Sequence, residues 1–189
     1  MKTEKTFHDL PEKELIDEAR KSPEAFGLLY ERYVDRIYSY IYFRVGSVQD
    51  AEDITARVFF RALQNIGNYR YMGLPFSSWL YRIAHNQVAN FHRDRSRGTE
   101  IGLDTMLIPP STPRELAPEV SAVNQQEINQ LIRIINDLSE QKRELVILKF
   151  VQKLSNEEIG KIFNKSEGAI KSLYHRTLLE LRDRMEKLS

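Results

Sequence analysis

In the stretch PFSSWLYRIAHNQVANFHRDRSR (75–97) the chain's only tryptophan keeps unusual company. At about 100° per residue along a helix, Trp79 shares a stripe with Arg82, Asn86, Asn90, Arg93 and Arg97. Leu80, Ala84, Val88 and Phe91 fall on the other side, so the apolar face is complete without the indole. Aromatic faces stack unpaired bases, amides reach base edges and guanidinium groups hold phosphates; single-stranded nucleic acid asks for that combination. Just upstream, NYRYMGLPF adds Tyr69, Arg70, Tyr71 and Phe76 in a loop punctuated by Gly and Pro. A tryptophan packed beneath that loop and touching no ligand is the plainer reading. Its amide and arginine neighbours favour the nucleic-acid one.

A second constellation lies near the C-terminus. Ser155 and Glu158 have the spacing of a capping box, which starts a helix. Asn164, tolerant of the left-handed conformation of a tight turn, separates that helix from one capped by Ser166. Ile159, Ile170 and Leu173 stand where a helix-turn-helix locks its two helices, with Gly160 at their point of contact. Lys171, Ser172, His175 and Arg176 then share the outer face, the side such a unit lays in the major groove. An ordinary helical hairpin with a solvated basic face is the alternative, but turn, small residue and polar face agree in register with DNA reading.

The acidic run DAED, with Asp50, Ala51, Glu52 and Asp53, follows a Ser47 cap. Carboxylates there are stabilised by the helix dipole, and they equally suit a protein-contact surface. A metal-dependent nucleic-acid enzyme built on these carboxylates would need a further ligand, and none falls at ligand spacing. His8, His85, His92 and His175 are scattered, cysteine is absent, and no nucleophile–base pair or phosphate-cradling loop is visible. No catalysis, metal or cofactor is expected.

The elements that must position these residues are helical. SPEAFGLLYERYVDRIYSYIYFRVG opens with Ser22 and Pro23 as cap and first residue, presents Phe26, Leu29, Tyr30, Tyr33, Ile37 and Ile41, and ends at Gly46. SVQDAEDITARVFFRALQNIG presents Ala51, Ile54, Val58, Phe59, Ala62, Leu63 and Ile66. Beyond residue 124, Ile128, Leu131, Ile132, Ile135 and Leu138 carry another helical period, followed by a helix capped by Ser139. No alternating strand appears, so the predicted fold is all-α. Four of the seven prolines fall between 109 and 118, which forbids a long helix there. The chain therefore divides into two small helical domains, 1–97 and 125–189, joined by a Pro-rich flexible linker at 98–124. At 189 residues and a net charge of +1, attraction for polyanions rests on local basic stripes or on a larger partner. No run approaches a membrane span, and the charged start does not read as a signal peptide, so a soluble cytoplasmic protein is expected.

These pieces resemble a known family. LYERYVDRIYSYIYFRVG, DAEDITARVFFRA and PFSSWLYRIAHN are similar to the promoter-melting region 2 of bacterial extracytoplasmic-function sigma factors. LSEQKRELVILKFVQKLSNEEIGKIFNKSEGAIKSLYHRTLLELR resembles their region 4. The resemblance implies a core RNA polymerase contact at Asp50, Ala51, Glu52 and Asp53. It implies −10 DNA contacts at Tyr69, Arg70, Tyr71, Trp79, Arg82, Asn86, Asn90 and Arg93, with Asn86 lining a pocket for an extruded base. Lys171, Ser172, His175 and Arg176 would read the −35 element. Core polymerase and promoter DNA are the implied partners, and many members are held by an anti-sigma factor. The sequence departs from the family pattern at Arg57, at Tyr69-Arg70-Tyr71 and at Leu173, where a basic residue is common. A helix-turn-helix regulator acting without polymerase is the alternative function.

Overall fold

Side-chain caps fix where the helices begin. The computed structural model describes residues 7–71, 73–98 and 130–187, and among them every regular element is helical. Ser22 Oγ accepts from the Ala25 amide and opens α2 (Pro23–Val45), which follows a short α1 (Glu12–Ala19). Gly46, at φ 72°, closes α2 in the left-handed region that glycine enters without strain. Ser47 Oγ accepts from Asp50 N–H to open α3 (Val48–Asn65), and a 3-10 turn (Ile66–Asn68) leads toward α4 (Phe76–Gly98). Residues 130–136 form α5, followed by α6 (Glu140–Val146), a π-helical turn (Ile147–Val151), α7 (Asn156–Phe163) and α8 (Glu167–Glu186). The linker from residue 99 to 124 lies outside the described residues.

The apolar periods meet in one core. Phe26, Leu29, Tyr33, Ile37 and Ile41 of α2 are buried against Ala51, Ile54, Val58, Phe59 and Ala62 of α3 and Leu80, Ala84 and Val88 of α4. Tyr30 and Leu63, expected inside, are exposed, although Tyr30 sets its ring against Phe59 at 4.8 Å. In α5 it is Ile134 that is buried while Leu131 is exposed, and Leu138 seals the following turn; Ile128 lies outside the described residues. Ser139 makes no side-chain cap bond. Arg143 closes that turn instead, donating to the carbonyls of Asn136 (2.5 Å) and Leu138 (3.0 Å).

The N-terminal helices and the C-terminal unit meet across a buried polar seam. Arg44 of α2 places Nη1 2.5 Å from Glu144 Oε1 of α6, and the Tyr40 hydroxyl donates to the same oxygen at 2.5 Å. His85 Nδ1 of α4 stands 2.8 Å from it. Alongside, Tyr81 donates to Gln152 Oε1 (2.6 Å) and Ser78 to Glu158 Oε1 (3.1 Å). Burial alone would raise the Glu144 pKa, but Arg44 first, then His85 and Tyr40, bring it below its ordinary value. Burial, with Arg44 nearby, lowers that of His92.

Both shifts destabilise the fold in acid. A depressed folded-state pKa means the unfolded chain takes up protons first, so stability falls as pH falls. The loss begins below the ordinary histidine value of 6.5 for His92 and is joined below 4.5 by Glu144. Urea midpoints measured from pH 7.5 to 4 are expected to decline through both intervals, with the first interval flattened in His92→Gln.

Candidate nucleic-acid interface

Between α3 and α4 the polar stripes of two amphipathic helices face each other. Arg61 and Asn65 come from α3, Asn68 from the turn after it, and Trp79, Ile83, Asn86 and Gln87 from α4. With Tyr69 they line a cavity of about 320 Å³, within the roughly 300–1,000 Å³ range of small-ligand sites. Asn65 donates to the Arg61 carbonyl at 2.8 Å. Gln87, with its amide oxygen turned toward α3, accepts from Arg61 Nε and Nη1, both at 3.0 Å. That pair ties the two helices together at the cavity.

Trp79 is not displayed outward as its stripe suggests. It is half-buried, leaning on Tyr69 (5.1 Å between ring centroids) and Phe76 (5.3 Å), which themselves meet edge-on at 5.2 Å. Tyr69, expected in an open loop, is buried because this aromatic trio closes over the core; part of it still reaches the cavity. Asn86 is exposed at the cavity rim, where an amide can meet a base edge. Arg82, Asn90 and Arg93 do not line the cavity: Arg82 and Arg93 are exposed and Asn90 is half-buried on α4. Arg70 and Tyr71 are exposed in the connection leading to α4. The side chain of Arg97 lies outside the described residues. Sequence reasoning missed Arg61, Asn65, Asn68 and Gln87. Arg61 and Asn65 lie one turn apart on the polar side of α3 and Asn68 continues the same spacing into the turn that follows, which was the available signal.

In the C-terminal unit the expected geometry is present in detail. Ser155 Oγ accepts from Glu158 N–H while the Glu158 carboxylate accepts from Ser155 N–H at 2.7 Å. Asn164 adopts φ 53°, and Lys165 N–H returns to the Gly160 carbonyl at 2.8 Å. Ile159, Ile170 and Leu173 are buried between α7 and α8. Lys171, Ser172, His175 and Arg176 are all exposed on α8, with Lys171 paired to Glu167 at 3.0 Å. Leu173 faces inward, so it serves the lock between the helices and makes no phosphate contact.

Sequence comparison assigns both halves. The Sigma-70 region 2 family matches residues 29–98 and the Sigma-70 region 4 family residues 128–181. The chain is 31% identical to the ECF RNA polymerase sigma factor SigW of Bacillus subtilis over 185 residues, covering 93% of this chain and 97% of SigW. The chain belongs to the extracytoplasmic-function sigma factors. It is also 38% identical over 169 residues to BldN of Streptomyces coelicolor, covering 89% of this chain but only 63% of BldN. Among solved structures, CnrH in complex with the cytosolic domain of CnrY shares the fold: TM-score 0.67 at 18% identity, over 94% of this chain and 99% of that one. RpoE of Bartonella quintana, in complex with the anti-sigma factor NepR, does so at TM-score 0.63 and 20% identity, over 85% and 96%. A regulator acting without polymerase is not favoured, since both halves match sigma regions in order.

In this sigma factor the acidic segment divides. Glu52 and Asp53 are exposed and Asp50 is half-buried at the start of α3. Ala51 is fully buried and offers no surface to polymerase; its small side chain packs α3 onto the core. Among the described residues no three His, Cys, Asp or Glu side chains are arranged to hold a metal ion, and no helix is long and apolar enough to cross a membrane.

Proposed function

We propose that this sigma factor acts in the cytoplasm, docking on core RNA polymerase through Asp50, Glu52 and Asp53. It opens promoters by trapping an extruded −10 base in the α3–α4 cavity, while Lys171, Ser172, His175 and Arg176 read the −35 element. The cavity carries the reading: an indole backed by two rings stands beside a free amide, in a space open to solvent. Trp79 supplies a stacking face, Asn86 a hydrogen-bonding edge, and Arg70, Arg82 and Arg93 cationic contacts for the backbone around it. An anti-sigma partner is in keeping with the complexes of CnrH and RpoE.

Melting requires the polymerase. Opening a bubble of several base-pair steps costs about 1.4 kcal/mol for each step, whereas the single stacking site at Trp79 returns about 1–3 kcal/mol in all. A chain of net charge +1 adds little long-range attraction. Geometry argues the same way. In this structure α7 packs on α4 and α8 on α7, with interaxial distances of about 8–10 Å typical of packed helices. Elements centred near −10 and −35 are separated by about 85 Å of duplex, at about 3.4 Å per base pair. The two reading faces must part for both to be used, and polymerase is the agent that holds them apart.

Run-off transcription with core polymerase tests this. Trp79→Ala and Asn86→Ala are each expected to lower initiation on duplex promoter by about 10-fold or more, the value of one lost base contact. On a template with a pre-opened −10 bubble, Trp79→Ala should recover most of its activity. Wild-type rates for both variants on duplex template would overturn the cavity assignment.

A further inference from the structure

Helix α1 lies outside both sigma-family matches, yet it is bonded to the aromatic wall of the cavity at two points. Its buried residues, Leu15, Ile16 and Ala19, seat it in the core. From its first residue, Glu12 Oε1 accepts the Phe76 N–H at 2.8 Å, and Glu12 Oε2 accepts the hydroxyl of Tyr33. From the residue after its last, Arg20 Nη2 donates to the Tyr69 carbonyl at 2.6 Å, while Nη1 is steadied by Asp17 at 3.1 Å. Tyr69 and Phe76 are the two rings against which Trp79 leans.

The chemistry of these bonds is strong and directional. The Phe76 amide is one of the donors that the first turn of α4 leaves without an intrahelical acceptor. A carboxylate placed there gains from a charge-assisted bond and from the helix dipole. The Tyr69 carbonyl belongs to the connection between two helices and is held by a charged donor from 49 residues away. With both rings bonded through their backbones to α1, the indole meets a fixed surface. Without those bonds Tyr69 keeps its N–H bond to the Ile66 carbonyl at 3.1 Å and Phe76 its place in α4, but the tie that sets the two rings relative to each other is lost.

We infer that Glu12 and Arg20 are positioning residues for base capture, acting through Phe76 and Tyr69 to set the stance of Trp79. The inference deepens the cavity reading above and rests on it for its functional meaning. Glu12 and Arg20 touch no nucleic acid themselves. They decide how well the cavity is formed before a base arrives, which is what preorganisation contributes to binding.

Trp79 is the only tryptophan in the chain, so its fluorescence reports the site directly in the intact protein. Arg20→Ala and Glu12→Ala are expected to raise the acrylamide quenching constant of Trp79 about twofold and to shift emission to the red as ring contacts loosen. Arg20→Lys, which keeps a cationic donor, and Glu12→Gln, which keeps an acceptor, should restore most of the wild-type signal. Lys13→Ala, on the exposed side of the same helix, should change nothing. Titration with a mixed-sequence single-stranded DNA hexamer should show binding weakened about 10-fold in the two alanine variants, the scale of one misplaced stacking contact. Unaltered quenching in the folded alanine variants, checked by far-UV circular dichroism, overturns the inference. If either alanine variant fails to fold, the Arg20→Lys and Glu12→Gln pair decides: quenching and affinity unlike wild type in both would overturn it. If the hexamer leaves wild-type Trp79 fluorescence unchanged at saturating concentration, the cavity reading fails, and quenching alone judges the role of α1.

Discussion

Glu144→Ala is expected to lower the thermal midpoint by about 6–20 °C and to release the C-terminal unit from the N-terminal helices. The reason is what the substitution leaves behind. Arg44 is 1% exposed and Glu144 3%, and the pair spans the two halves of the chain. Stripping one partner from a buried ion pair costs about 3–5 kcal/mol, because the remaining charge stays desolvated. For a chain of this size each kcal/mol shifts the midpoint by about 2–4 °C. Arg44 keeps the Tyr40 hydroxyl at 2.8 Å and the exposed Glu140 carboxylate at 3.4 Å, but a neutral phenol and a solvated carboxylate compensate a buried cation only in part. Undocking is the cheaper relief, since it returns Arg44 to water while each half keeps its helices. Small-angle scattering should therefore report a larger radius of gyration before the helical signal is lost. Glu140 offers the internal contrast. It stands 3.4 Å from the same guanidinium but is 62% exposed, and an exposed ion pair contributes about 0–1 kcal/mol. Glu140→Ala should shift the midpoint by only a few degrees. A double replacement, Arg44→Met with Glu144→Leu, removes both charges and should recover most of the loss. If Glu144→Ala melts like the wild type and scatters like it, the seam does not hold the two halves together.

This seam also shows where reading the sequence stops. The caps at Ser22, Ser47, Ser155 and Ser166 and the left-handed residues Gly46 and Asn164 are local signals, and the structure realises each of them. Apolar period identified the inner faces of α2, α3 and α4 because burial within one helix repeats with the helix itself. Arg44 has no such signature. A cation in the last turn of a helix is ordinarily a solvated partner of the dipole, and its burial depends on Glu144, a hundred residues away across a linker. The cavity was half legible for the same reason. The stripe through Trp79 and Asn86 can be traced on α4, but which polar residues of α3 stand opposite depends on helix packing. That packing recruits Arg61, Asn65 and Asn68 and leaves Arg82, Asn90 and Arg93 outside. Tyr69 reads as open because Gly and Pro punctuate the loop around it, whereas its ring is drawn in by Phe76 and Trp79. Helix α1 carries still less of a signal. Eight residues, five of them charged, give too short a period to separate from a solvated tail, and only Leu15, Ile16 and Ala19 betray a buried edge.

Gly160→Ala carries the other large expected effect, and here the obstacle is steric. A Cβ at this position would lie 2.7 Å from the Lys165 backbone oxygen, and 3.7 Å from Glu167 N and Ser166 C. No side chain can swing aside, since the closest atom belongs to the turn itself. That turn is already constrained, with Asn164 at φ 53° and Lys165 N–H bonded to the Gly160 carbonyl. Relief requires α8 to move away from α7, which opens the contact among Ile159, Ile170 and Leu173 and tilts Lys171, Ser172, His175 and Arg176. Overpacking of this kind costs about 1–3 kcal/mol. The functional loss should exceed the loss of stability, because a recognition helix tilted in the major groove loses several contacts together. In run-off transcription, Gly160→Ala should reduce initiation at promoters that depend on the −35 element. It should leave single-stranded DNA binding at Trp79 unchanged, as the cavity lies on α3 and α4. Gly27 supplies the control. It lies within α2 with open space where a Cβ would go, so Gly27→Ala should stabilise the chain by about 0.5–1 kcal/mol through helix propensity. Wild-type −35 dependence in Gly160→Ala would mean that the contact between α7 and the turn yields, and that the two helices of the DNA-reading unit are not locked by it.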